Sequence, residues 1–175
     1  MTRSFYLLLI LVLPYTTIAQ TWKNFADTGI AFTAKYPASW VNKIKEEKRV
    51  FFTSPSDGEK DNFRENINIS VKTNAAYGTE LKIKEVVLTV IESLKKSIAN
   101  FNLQAENHFT WNKAAAVELI YSGTYDINGT STDVRITQWF CFWNTKLYTA
   151  TYTAQKSVNT HDDTAKKILN SILFK

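Results

Sequence analysis

The chain is poor in the residues that staple small folds together. Its 175 residues include one cysteine, Cys141, and two histidines, His108 and His161. A single cysteine cannot form an internal disulfide, and one thiol with two imidazoles cannot close a four-ligand Cys/His zinc site. With 5 glycines and 3 prolines, collagen-like and low-complexity architectures are excluded. There is no Gly-rich phosphate loop, no Gly-x-Ser-x-Gly elbow and no His-Glu-x-x-His pair, so the common local signatures of nucleotide binding and hydrolysis are missing. Charge of one sign is not concentrated either. Lys and Arg number 21 against 16 Asp and Glu, a formal +5, and acids interrupt the lysines in Lys43-Ile-Lys-Glu-Glu-Lys-Arg49. Without a dense basic run, a nucleic-acid partner is not expected.

What the chain has is apolar and aromatic. Hydrophobic residues make up 45% and aromatics 14%, enough for a packed core. The first long apolar run, Phe5 to Leu13, follows a lone Arg3 and ends at Pro14. A nine-residue helix is roughly 14 Å long, about half the ~30 Å hydrocarbon core of a bilayer. With small residues at Thr17 and Ala19, residues 1–19 read as a secretory signal peptide cut after Ala19. Residues 20–175 then form one domain, able to bury roughly 70% of its unfolded surface. In an oxidising compartment the lone Cys141 is expected to be buried and inert.

Period-two alternation marks strands at Gly29–Tyr36 (Ile30, Phe32, Ala34, Tyr36), at Val50–Thr53 and at Ile67–Val71. Lys43 to Arg49 reads as a charged turn and Ser54 to Asn62 as a polar loop. Over 79–101 the apolar residues Ile83, Val87, Val90, Ile91, Leu94, Ile98 and Phe101 fall on one helical stripe, with Thr79 as N-cap. Strands follow at about 103–111, 114–125, 132–144 and 146–155, with Asn128-Gly129 as a hairpin turn. Trp139-Phe-Cys-Phe-Trp143 is apolar on both faces, so that strand is expected to be central and covered on both sides. A final helix starts at Thr160 with Asp163 three residues on, and carries Ala165, Ile168, Leu169, Ile172 and Leu173 on one stripe. The expected class is α+β: an antiparallel sheet of about six to seven strands sandwiched between helices.

Four stretches resemble the PsbP-like family, which also takes in Ran-interacting Mog and envelope proteins of the DcrB and LpqN kind. They are Ile30-Ala-Phe-Thr-Ala-Lys-Tyr-Pro-Ala-Ser-Trp40, Phe63-Arg-Glu-Asn-Ile-Asn-Ile-Ser-Val71, and Leu147–Tyr152 with Ile168–Phe174. The resemblance implies the layered fold and, for most bacterial members, an envelope role without assigned chemistry. It carries over no catalytic, cofactor or metal residue.

The functional expectation is an exported, non-catalytic module that binds an envelope protein or small ligand. The alternatives are a metal-dependent or hydrolytic envelope enzyme and a factor in peripheral contact with a lipid surface. Trp22 and Phe25 are expected to strap the sheet edge. In the alternative arrangement they join Trp40 and the 54–64 loop to rim an apolar groove. The surface so defined comprises Trp22, Phe25, Trp40, Asp57, Glu59, Asp61, Phe63 and Arg64. Asp57, Glu59 and Asp61 alternate as calcium-loop acids do, but Gly58 is misplaced for an EF-hand and position twelve is Asn68. They read as a solvated loop. His161-Asp162-Asp163 could lend a histidine and a carboxylate to a metal, but consecutive helical residues diverge and the acids suit the helix start, so no metal is expected. His108 reads as a surface or edge residue.

Overall fold

In the computed structural model, residues 20–45, 49–59, 61–78, 81–127 and 129–175 are described. The segment read as a signal peptide, residues 1–19, lies outside them, as do Thr79 and Asn128.

Among the described residues, ten strands and two helices follow in order: β1 (Trp22–Ala26), β2 (Phe32–Pro37), β3 (Val41–Lys45), β4 (Arg49–Thr53), β5 (Asn66–Thr73), α1 (Ile83–Ser97), β6 (Ala99–Trp111), β7 (Ala114–Ile127), β8 (Thr130–Trp143), β9 (Lys146–Gln155), α2 (Asp162–Asn170) and β10 (Leu173–Phe174). Seven of the strands form one sheet in the order β3-β4-β5-β9-β8-β7-β6, and β1-β2-β10 form a second, smaller sheet. All these pairings are antiparallel.

The long meander β6 to β9 follows from its turns. Trp111 pairs with Ala114 across Asn112-Lys113, and Trp143 with Lys146 across Asn144-Thr145. All four turn residues have positive φ, between 48° and 71°. Two consecutive left-handed residues make the type I′ turn, whose twist matches the flanking strands. The β7–β8 hairpin pairs Ile127 with Thr130, and Gly129 between them has a φ of 80°.

β8 lies inside the large sheet, and its apolar run divides between two cores. Trp139 and Cys141 join Tyr148, Ala150 and Tyr152 of β9 and face the small sheet and α2. Phe140 joins Val117, Leu119, Tyr121 and Ile136 on the opposite face, where α1 supplies Val87 and Ile91. The large sheet therefore has α1 on one side and α2 with the small sheet on the other. Trp111 Nε1–H donates to the Leu169 carbonyl at 3.2 Å, and the Ser171 hydroxyl bonds the Lys35 backbone. These bonds fix α2 to both sheets.

Several sequence expectations need correction. Trp22 and Phe25 are not an edge strap but belong to β1, which pairs with β2. Lys43 to Lys45 is strand β3, every residue of which is exposed. The helical stripe over-reached at its end. Ile98 is extended, Asn100 has a φ of 54°, and Phe101 lies in β6. The α1 N-cap is Lys82, whose backbone N–H donates to Glu85 Oε2 at 3.0 Å. The α2 N-cap is His161 in place of Thr160, and Leu173 leaves the helix for β10.

Candidate functional site

The loop between β4 and β5 is closed at its neck. The Ser54 N–H donates to the Glu65 carbonyl at 2.9 Å, extending the ladder that pairs Thr53 with Asn66. Arg64 donates from Nε to the Ser54 carbonyl at 2.6 Å, and Nη2 donates to the same oxygen. Within the loop, Asp61 accepts from the N–H groups of Asp57 (2.9 Å) and Phe63 (3.1 Å). Asp61 is thus a turn-forming acid, which is the local role short acidic side chains fill in loops.

The fold carries this loop against the start of α2. His161 is nine-tenths buried, with its imidazole edge-on to Trp40 at 5.7 Å. Its Nε2 lies 3.1 Å from Asp57 Oδ1. Glu65 is 2% exposed and takes part in the same cluster. One ligand atom from each of Asp57, Glu65 and His161 lies within 4.8 Å of the other two. The Ser54 hydroxyl reaches Glu65 Oε2 at 3.4 Å. Asp162, next to His161, faces other groups: Arg135 pairs with it, and the Tyr152 hydroxyl donates to it at 2.9 Å. Burial, then the Asp162 hydrogen bond and charge, hold the Tyr152 phenol above its usual range.

The eight residues singled out in the sequence do not make one surface. Phe25 and Trp40 are in the core at 5% and 3% exposure, because β1 covers the sandwich and Phe25 packs between Phe32 and Phe52 at 5.6 Å from each. Trp22 is half-buried against that core. An exposed groove rimmed by these three aromatics does not form. Glu59 and Arg64 are exposed and Asp57 turns toward His161. Asp61 and Phe63 line a cavity of about 380 Å³ with Asn62, Thr130, Thr132 and Gln155. A second cavity of about 530 Å³ shares Thr130, Thr132 and Gln155.

His108 is on the edge strand β6, its side chain 67% exposed and 3.4 Å from Glu106. Cys141 is fully buried, and burial pushes its thiol up to about 12. A thiol held protonated is a poor nucleophile.

Glu65 escaped the sequence reading although a signal for it exists. It shares the parity of Ile67 and Ile69, so the alternation that buries those two buries a carboxylate with them.

No family model matches the sequence, and no curated protein matches it. Solved structures do match. A protein of unknown function from Pseudomonas aeruginosa aligns at a TM-score of 0.63 and 15% identity, covering 88% of this chain and 97% of that one. Cyanobacterial PsbP from Synechocystis sp. PCC 6803 aligns at 0.59 and 12% identity, over 94% and 98%. LpqN of Mycobacterium tuberculosis, involved in cell envelope biogenesis, aligns at 0.51 and 13% identity, over 91% and 87%. At such identities the likeness is one of fold.

Proposed function

We propose that this chain, which has the PsbP-like fold, is an exported, non-catalytic binding module of the cell envelope. The observation that carries the reading is the concave polar surface where the 61–63 segment, the β7–β8 hairpin and the end of β9 meet. Hydroxyls and amides from Asn62, Thr130, Thr132 and Gln155 offer paired donors and acceptors around the half-buried ring of Phe63. Such a lining, with Asp61 at its side, suits a polar ligand or the backbone of a protein partner, with the ring giving orientation. The envelope setting is supported by the signal-like residues 1–19 and by the role stated for LpqN.

The surface is tested with Asn62→Lys combined with Thr132→Lys, which places two bulky charges on it without touching the core. A partner or ligand captured from envelope extract by the wild-type chain should be retained at least tenfold less by this variant, about 1.4 kcal/mol of binding. Equal retention, or no specific capture by the wild type, overturns the reading. Export has its own measurement. N-terminal sequencing of the protein recovered from the envelope fraction should begin at Gln20; a chain still beginning at Met1 there speaks against cleavage.

A further inference from the structure

The cluster of Asp57, Glu65 and His161 has no part in that surface. We propose that these three side chains bind a divalent transition-metal cation of the zinc class, which fastens the 54–65 loop to the first turn of α2.

The geometry is close to what coordination requires. Zinc holds imidazole nitrogen and carboxylate oxygen at about 2.0–2.2 Å, so donor atoms around a tetrahedral ion are about 3.3 Å apart. His161 Nε2 and Asp57 Oδ1 already lie 3.1 Å apart, and all three donors fall within 4.8 Å of one another. Bringing the Glu65 carboxylate inward by a side-chain rotation completes the set. Asp57 is at the solvent side, which gives the ion an entry path and leaves the fourth position to water.

The charge balance points the same way. Glu65 is 2% exposed, and a buried carboxylate needs a cation or several strong hydrogen bonds. Among the described residues, neither Lys nor Arg pairs with it, and its one hydrogen bond is from Ser54 at the long distance of 3.4 Å. Arg64, next in sequence, is committed to the Ser54 carbonyl. A dication between Asp57 and Glu65 would neutralise both. The opposing effect is the positive end of α2, whose N-cap is His161; Asp162 and Asp163 in the first turn offset it.

The donor set also selects the ion. One imidazole with two carboxylates suits zinc and its neighbours, whereas calcium needs six or more oxygens. Trp40 packs edge-on against the imidazole and restricts its orientation. The competing account is a direct hydrogen bond between His161 and Asp57, with no metal.

Titration of the chelator-treated full chain with zinc, and separately with cobalt(II) and calcium, decides between them. The expected result is one equivalent of zinc per chain and visible ligand-field absorption from cobalt. Thermal stability should rise with free zinc as mass action requires. Zinc affinity should fall at least tenfold in Asp57→Asn and more than that in Glu65→Gln. Asp57 is a surface position, so D57N keeps the test informative if E65Q does not fold. No saturable zinc uptake, unchanged uptake in D57N, or stabilisation by calcium equal to that by zinc would each overturn the site.

Discussion

Replacing Phe52 by alanine is expected to lower stability by about 3–5 kcal/mol, roughly a fifth or more of what a domain possesses. Phe52 is on β4 and is fully buried. Its ring meets Phe25 edge-on at 5.6 Å and Tyr36 at 5.1 Å, so it is the point at which the large sheet grips β1 and β2. Truncation removes the transfer free energy of the ring and leaves a cavity that two paired sheets cannot collapse around. The loss is read from the urea midpoint at constant slope, and Phe52→Leu should recover most of it. Amide protection in β1 and β2 should fall before that of β7 and β8. A loss under about 1 kcal/mol would mean that the small sheet is held elsewhere.

The second large effect is alkaline. Burial raises the Tyr121, Tyr125, Tyr148 and Tyr152 phenols above their usual range and pushes the Cys141 thiol up to about 12. Each group holds its proton more tightly when folded than when unfolded. Its contribution is therefore intact below the unfolded pKa, near ~9 for the thiol and ~10 for the phenols. It is lost as pH climbs from there toward the folded value. Tyr121 and Cys141, the more deeply buried, each contribute up to about 1.4 kcal/mol per pH unit in that window, and Tyr125, Tyr148 and Tyr152, which are more open to solvent, add less. Together the Cys141 thiol and the Tyr121 phenol should remove on the order of 3 kcal/mol between about pH 9 and pH 11. Urea midpoints across that range, followed alongside tyrosinate absorbance, should show ionisation appearing with unfolding. A slope below that of one group would show that the phenols titrate freely in the native state.

The strands that the sequence made plain are those with one dry and one wet face, β2, β4, β5 and β9, where period-two alternation is a direct record of burial. Those it concealed lack that contrast. β3 reads Val-Asn-Lys-Ile-Lys with all five positions exposed, so nothing alternates, and its extended state comes from pairing with β4. β1 places Trp22 and Phe25 three residues apart, an interval that suggests a helix or a strap sooner than a strand. The α1 stripe ran on to Phe101 because Ile98 and Phe101 do face the α1 core, but from the start of β6. The site divides in the same way. Asp57 and His161 looked like a loop acid and a helix-start residue because each is that locally, and their meeting spans 104 positions. Glu65 alone was open to inference, as a charge in apolar register.

The pairing of β2 with both β1 and β10 has a consequence for when the molecule can form. β2 meets β10 through Thr33 with Leu173 and Phe32 with Phe174, and Ser171 bonds Lys35 across 136 positions. Local hairpins such as β7–β8 can assemble as soon as they emerge, whereas this closure joins segments far apart in sequence and bears a larger loop entropy. The inner core is sealed only after synthesis has reached those last residues. Until then the nascent polypeptide lacks the contacts that hold β2 to β10 and to the end of α2.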